Sequence, residues 1–387
     1  MNPIPYARQS VSQADIDAVV LVLRSDWLTQ GPDIERFEKG VAASCGARHA
    51  VAVSSGTAAL HLACLALDLG PGDLLWTSPN TFAASANCAR YCGADVDFVD
   101  IDPRTYNISI TALEEKLSRA ARAGKLPKML VPVHFGGQSC DMRAIGTLAE
   151  RYGVRVVEDA SHAVGAEHRS AKVGACLYSD IAVFSFHPVK IMTTGEGGML
   201  LTNDDALARR LRLLRTHGIT RDAGEMSGEW EGPWYYQQVA LGFNYRMTDI
   251  QAALGASQLR RLDEFLARRR DLARRYDALL KGLPLATPCE DPAGKSSWHL
   301  YVIQLELEVL GRTRRAVFER MRAAGVLVNV HYIPVHLQPY YRRLGFKPGD
   351  FPASERYYER AISLPMFFGL SDADQDRVVA VLGESLH

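Results

Sequence analysis

The chain has 387 residues, of which 47% are apolar and 23% charged, the make-up of a globular protein with room for two domains. Lys plus Arg and Asp plus Glu each number 44, and a formally neutral chain is not a general binder of nucleic acid or acidic membranes. The N-terminus MNPIPYARQS lacks the basic and apolar regions of a signal peptide. The most apolar long window (50–70) contains Ser54, Ser55, Gly56, Thr57 and His61, so it reads as strand, turn and helix rather than a membrane span. Seven dispersed cysteines without a C-x-x-C pair fit thiols in a reducing cytoplasm and make no zinc pattern.

Ser12 and Asp15 mark a helix start that continues through DIDAVVLVLRS, and LTQGPDIERFEKGVAASCG gives a turn and a second amphipathic helix. Strands and helices then alternate. HAVAVS (49–54) reads as a strand and TAALHLACLAL (57–67) as a helix; DLLWTS (73–78) is a strand and TFAASANCARYCG a helix. VDFVDI (96–101), MLVPVHF (129–135), VRVVED (154–159) and IAVFSF (181–186) are further apolar strand candidates. GMLLT follows them, and MRAIGTLAERYG is one of the intervening helices. This alternation predicts an α/β fold with a mainly parallel central sheet flanked by helices.

Near residue 250 the pattern changes. TDIQAALGASQLRRLDEFLARRRDLARRYDALL reads as one long helix opened by a Thr248–Gln251 capping box, with its basic run (268–275) as a solvated face. WHLYVIQLEL (298–307) is a strand candidate, RRAVFERMRAAG a helix, NVHYIPV (329–335) a strand, and DADQDRVVAVLGESL the final helix. The expected organisation is an N-terminal arm (1–30), a large domain (31–250), and a bridging helix with a smaller C-terminal α+β domain (251–387).

Three stretches carry candidate chemistry. SSGTAAL (54–60) follows a strand and opens a helix. Its small residues and the helix N-terminus suit an anion, with Ser55 and Thr57 as hydroxyl donors; a plain capped turn has the same pattern. Asp159 ends VRVVED, where a carboxylate either holds a protonated ring nitrogen or caps ASHAVGA; Glu158 points to the opposite face. His162 either meets a planar ring or is structural. Lys190 stands between IAVFSF and the glycine-rich TTGEGG. Buried, its amine loses pKa and becomes a nucleophile toward aldehydes; otherwise it snorkels to water. A phosphate cradle, a strand-end aspartate and a later lysine, in that order, fit pyridoxal 5'-phosphate.

SGTAAL, EDASHAVGA, FSFHPVK with TTGEGG, and GFNYRMTDIQAALG together resemble the DegT/DnrJ/StrS sugar aminotransferases, over essentially the whole chain. The resemblance implies the type I pyridoxal-phosphate aminotransferase fold and that cofactor, with no metal. By it, the catalytic residues are Lys190, which forms the Schiff base, and Asp159, which faces the pyridine nitrogen. Gly56, Thr57 and Ser185 line the cofactor phosphate and Ala58 adds a backbone N–H. Phe82 stacks on one ring face and His162 lies on the other. Asn244 reaches the phosphate from a second subunit, which implies a homodimer with shared active sites.

A narrower resemblance rests on IPYARQSV with DAVVLVLRSDWLTQGP, HPVK, SSWHLY and NVHYIPVHLQPYY. The subgroup it points to aminates C4 of a UDP-linked 4-keto-6-deoxy-2-acetamido sugar with L-glutamate, toward pseudaminic acid. Carried over by position, Tyr6, Asp26, Trp27, Leu28, Thr29, Gly56, Ser185, Asn244, Asn329, Val330, His331 and Tyr332 face the substrate. The chain departs from the usual pattern at Ile191-Met192 and at Ala7. The alternatives are an aminotransferase for a GDP- or dTDP-linked sugar, at C4 or C3, and a non-catalytic cofactor-binding regulator. Lys190 favours transamination over that regulator, and over dehydratases of this fold, in which histidine typically holds the lysine position.

Overall fold

The computed structural model describes residues 2–387. Its centre is a sheet of seven strands: β1 (His49–Val53), β2 (Leu74–Thr77), β3 (Asp95–Phe98), β4 (Met129–Val131), β5 (Arg155–Asp159), β6 (Ile181–Ser185) and β7 (Gly198–Thr202). Their spatial order is β1-β7-β6-β5-β4-β2-β3. Only β7 runs against its neighbours.

Helices of this part are α1 (Gln13–Leu23), α2 (Pro32–Cys45), α3 (Gly56–Ala66), α4 (Ala84–Tyr91), α5 (Ile110–Ala123), α6 (Met142–Tyr152), α7 (Asp205–Leu214), α8 (Asp249–Leu259) and α9 (Leu262–Leu279). Alternation along the strands sorts side chains onto two faces. Val51, Val53, Ile181, Val183 and Leu200 pack under α3, α4 and α7. Ala50, Ala52, Phe184, Met199 and Leu201 pack on the other side under α2 and α8, and Trp76, Leu130 and Val156 under α5 and α6.

Strand register decides where the chemistry collects. Gly198 pairs with Val53 on one side and Ser185 on the other, and Asp159 lies beside Val183. The segments that follow β1, β5 and β6 therefore leave the sheet at one edge. Those segments carry Ser54 to Thr57, His162 and Lys190.

The smaller unit is an antiparallel sheet of β8 (Leu285–Ala286), β9 (Tyr301–Leu305) and β10 (Ala361–Leu364), in that order. Residues of the second half of α9, of α10 (Arg314–Ala323) and of α11 (Asp372–Leu386) complete its core. Ile4 joins this core too, because Ile4 and Pro5 pair in parallel with Val326 and Leu327. Helix α9 links two cores: Leu262, Phe265 and Leu266 sit in the sheet core, and Leu272, Ala273 and Tyr276 in the smaller one.

Three expectations are corrected. The long helix is two helices, because its backbone tightens where α8 ends: the N–H groups of Arg260 and Arg261 bond the carbonyls of Ser257 and Gln258, three residues back. NVHYIPV is not a strand. Asn329 exchanges two backbone bonds with Ser363, but the Val330 N–H goes to the Asn329 side chain, the Tyr332 N–H to Asn80 Oδ1, and Pro334 has none to give. The basic run is not wholly a solvated face. Arg269 is 2% exposed, and its Nη1 donates to the carbonyls of Trp298 (3.0 Å), His299 (3.3 Å) and Met366 (3.1 Å). Its neighbours Arg268 and Arg275 pair with Asp372 and Asp376.

Arg269→Met leaves those carbonyls without that donor in the interior. At about 1–3 kcal/mol per unsatisfied group, the protein should lose at least about 3 kcal/mol of stability. The urea midpoint should fall with the slope unchanged; a midpoint equal to wild type would refute this reading of Arg269.

Candidate active site

At the edge where β1, β5 and β6 end lies a cavity of about 710 Å³. Gly56, Thr57, Phe82, Asp159, His162, Ser185 and Lys190 line it, and Tyr6, Asn329, Val330, His331 and Tyr332 enclose it from the N-terminal arm and the segment after residue 328.

One end is the start of α3. Ser55 caps this helix: its Oγ accepts from the Ala58 N–H (3.1 Å) and its carbonyl from the Ala59 N–H (3.0 Å). The Ala58 N–H is thus spent inside the cap, which corrects its expected role as a phosphate donor. The Gly56 and Thr57 N–H groups are left for an anion. Gly56 packs closely on β6, since an added Cβ would sit 3.0 Å from Ser185 Cβ and crowd it.

Asp159 is 5% exposed. Its Oδ2 accepts from Ser85 Oγ (2.6 Å) and its Oδ1 from the Ser161 N–H (3.1 Å). Ser85 is in turn held by Thr81 Oγ1 at 2.7 Å. No helix follows, so Asp159 is not a helix cap. Glu158 points to the far side of the strand, where it meets His134 Nε2 at 2.8 Å and the Ser179 hydroxyl.

Lys190 keeps some solvent contact through the cavity mouth but lies deep among protein atoms. Burial pulls its amine down to about 8, and the Asp159 charge opposes that shift. Such an amine is far more often unprotonated at neutral pH than a free lysine.

The opposite wall is aromatic. The Gly136 N–H donates to His162 Nδ1 at 3.3 Å, and His162 Nε2 lies 3.1 Å from the Tyr332 hydroxyl. Burial, and then the nearby Lys190, hold the His162 pKa well below its ordinary value, so the ring is neutral. The phenol of Tyr332 is raised by burial and by Asp159. Tyr6 meets His331 ring to ring at 5.5 Å, and Phe82, 61% exposed, faces Tyr332 at 6.2 Å.

His331 borders the cavity with its ring already partnered. Its Nδ1 lies 2.8 Å from Ser363 Oγ and its Nε2 3.4 Å from Asn329 Nδ2, and burial lowers its pKa to about 3. Its ring nitrogens are engaged by the protein rather than offered to a sugar. Asp26, Trp27, Leu28 and Thr29 do not line this chain's cavity. The Leu28 carbonyl accepts from the Asp249 N–H (3.0 Å), and Thr29 bridges to Thr248, which pins the segment against the start of α8. Asn244 is exposed and bridged to Thr216, outside the cavity. Its neighbour Tyr245 accepts from the Ser54 N–H at 2.8 Å.

Sequence reasoning missed Ser85 and His299. Ser85 lies four residues after Thr81, one helical turn, and that spacing within NTFAASAN was the available signal. His299 is 3% exposed and lies behind His162, with ring centroids 4.4 Å apart. Nothing in SSWHLY marks it as a cavity residue.

An amine of lowered pKa, a buried carboxylate, two free helix-start N–H groups and aromatic walls fit a phosphorylated pyridine aldehyde. Fold and site together define a pyridoxal-phosphate-dependent aminotransferase. The model of the DegT/DnrJ/EryC1/StrS aminotransferase family matches residues 9–383, and the chain belongs to this family of sugar aminotransferases. It is 42% identical over 379 residues to the spore coat polysaccharide biosynthesis protein SpsC of Bacillus subtilis, covering 97% of this chain and 95% of that one. The putative sugar aminotransferase Spr1654 of Streptococcus pneumoniae, in its PMP form, superposes with a TM-score of 0.90 at 30% identity, over 99% of each chain. Helicobacter pylori PseC, an aminotransferase involved in pseudaminic acid biosynthesis, does so with a TM-score of 0.90 at 28% identity, over 100% of this chain and 99% of that one. Among the described residues, no helix is long and apolar enough to cross a membrane.

Competitive acylation of the cofactor-free protein should show the Lys190 amine titrating near pH 8. Asp159→Asn should move that midpoint down, because the carboxylate favours the charged amine. A midpoint in the ordinary lysine range would contradict the burial argument.

Proposed function

We propose that the protein transfers the amino group of L-glutamate to C4 of a UDP-linked 4-keto-6-deoxy-2-acetamido sugar. The observation that carries this reading is the meeting of Tyr6 with the segment 329–332 over the cofactor-side residues. Those two stretches mark the narrower resemblance, and they border the same cavity as Lys190. The likeness to PseC supports the choice of sugar.

The roles follow from position and residue type. Bound pyridoxal phosphate supplies a reactive aldehyde and an electron sink. Lys190 holds the cofactor and, when displaced, moves a proton between the carbon of the amino donor and the cofactor carbon. Asp159 keeps a positive ring nitrogen in place, oriented by Ser85 and the Ser161 N–H. The α3 start and Ser185 hold the phosphate. Phe82 and His162 flank the ring. The same lysine serves both half-reactions, with glutamate leaving as 2-oxoglutarate before the keto sugar enters.

Asn244 and residues 26–29 act, in this reading, in the cavity of a second copy. Both are exposed and lie near the site: Tyr245 bonds Ser54 of the cavity wall, and Thr29 bridges to Thr248 at the start of α8, the helix whose Gln251 donates to the carbonyl of the cavity residue Glu196. The enzyme is then a homodimer with two shared sites.

Offered UDP-, GDP- and dTDP-linked 4-keto sugars with glutamate, the enzyme should release 2-oxoglutarate fastest with the UDP-linked 2-acetamido sugar. A clear preference for a GDP- or dTDP-sugar would remove the substrate assignment. Borohydride reduction of the holoenzyme should leave a pyridoxyl group on the peptide containing Lys190, and an adduct only on another lysine would sink that role.

Site sharing has its own test. Asn244→Ala and Lys190→Arg should each be nearly inactive alone. Mixed dimers of the two should recover part of the activity, because one of their two sites has both native residues. Well-mixed heterodimers with no recovery would count against a shared site.

A further inference from the structure

The hydrogen bonds around His162 fix where one proton points. The Gly136 N–H occupies Nδ1, and the ring is neutral, so the single imidazole proton sits on Nε2. Nε2–H therefore donates to the Tyr332 oxygen at 3.1 Å. A phenol that accepts this bond keeps its own O–H proton for another acceptor. Tyr332 borders the cavity, where its ring is steadied by His162, near-parallel at 24°, and by Phe135 at 6.3 Å.

We infer that Tyr332 is a further catalytic residue, the proton donor to the carbonyl oxygen of the keto sugar. The inference rests on the sugar-aminotransferase reading above. In the sugar half-reaction the carbon–oxygen double bond of the ketone is replaced by a carbon–nitrogen double bond, and oxygen leaves as water. That water carries two protons, and the incoming amine gives up two. Tyr332 passes one to the departing oxygen, and a proton released by the amine restores the phenol. No electrons are gained or lost in this exchange. The glutamate half-reaction ends with the same exchange in reverse, water's oxygen replacing nitrogen as 2-oxoglutarate leaves, so Tyr332 takes back there the proton that it gives in the sugar half-reaction; the earlier removal of the glutamate α-proton belongs to Lys190 and does not need it.

The test uses holoenzyme and follows each half-reaction separately by rapid mixing. The sugar is the nucleotide-linked ketone that wild type turns over best. Tyr332→Phe should slow the sugar half-reaction by about 10²–10⁴-fold, the usual worth of a general acid. It should also slow the release of 2-oxoglutarate, but leave the exchange of the glutamate α-proton with deuterated solvent close to wild type, which certifies the fold. An equal loss of α-proton exchange, or an unchanged sugar half-reaction, overturns the inference while leaving the functional reading intact. A wild-type enzyme that aminates no nucleotide-linked keto sugar overturns the reading and this inference with it. A second measurement does not depend on turnover: nitrogen NMR of labelled histidine should find the His162 proton on Nε2 at neutral pH. A proton on Nδ1 removes the orientation argument and the inference falls.

Discussion

The Asp159 carboxylate sits in the interior of the sheet edge with both oxygens hydrogen-bonded, and much else follows from holding it there. A buried carboxylate without partners is costly. Ser85 and the Ser161 N–H meet that need, and Thr81 fixes Ser85. The strand itself is tied by register: Asp159 exchanges backbone bonds with the segment at Pro132 and His134 on one side and lies against Val183 on the other. Lys190 then feels a fixed negative charge across the cavity. That charge limits how far burial lowers the amine. The pair is thus balanced: an amine free enough to react, beside a carboxylate that remains in place.

Close packing at the same edge sets the third point of the site. The α3 start approaches β6 closely at Gly56, where an added Cβ would crowd Ser185 at 3.0 Å. A like constraint acts next door, where a Cβ on Gly198 would lie 2.4 Å from the Ser55 carbonyl. The groups that would meet phosphate, ring nitrogen and aldehyde therefore follow the ends of three strands of one sheet, β1, β5 and β6, with β7 between the first and the last, which is the kind of rigid support that a cofactor site needs.

The sheet and the cofactor side were legible in the sequence because both rest on local pattern. Short, mostly apolar runs alternating with helical stretches gave the strands, and the order of SSGTAAL, Asp159 and Lys190 gave the edge. Failures came where distant partners decide. Nothing local reveals that Arg269 turns inward, because its three carbonyl acceptors lie on residues 298, 299 and 366. NVHYIPV has strand composition, yet its N–H groups are satisfied by Asn80 and by its own Asn329. Ala58 looked free until the Ser55 cap took its N–H. The placement of residues 26–29 depends on Asp249, whose carboxylate accepts from the Gly31 and Asp33 N–H groups. That contact spans more than half the chain and leaves no mark in either segment.

Two substrates of different size must use one amine in turn, so discrimination cannot reside in Lys190 or Asp159. It has to come from walls that one substrate touches and the other does not. The cofactor-side floor is common to both. The roof is built from Tyr6 and residues 329–332, which belong to a different core from the sheet: Ile4 and Val328 are both buried in the smaller one. Arg269 ties that core to the site's rear wall, since it bonds the carbonyls of Trp298 and His299 from a helix whose first turns lie in the sheet core. His299 in turn backs His162. The rear wall is thus anchored to both cores, and the roof, held at Ile4 and Val328 by the smaller one, reaches the sheet side only through Tyr332, whose N–H bonds Asn80 and whose hydroxyl lies against His162. Variation in the roof outside Tyr332 can change which sugar is accepted without disturbing the groups that move the proton. The family's four shared motifs all lie on the floor, at Lys190 and Asp159 or beside the α8 start. Of the stretches that mark one substrate subgroup, those at Tyr6 and residues 329–332 lie on the roof, SSWHLY enters the rear wall at His299, HPVK ends on the floor at Lys190, and residues 26–29 lie on the exposed surface.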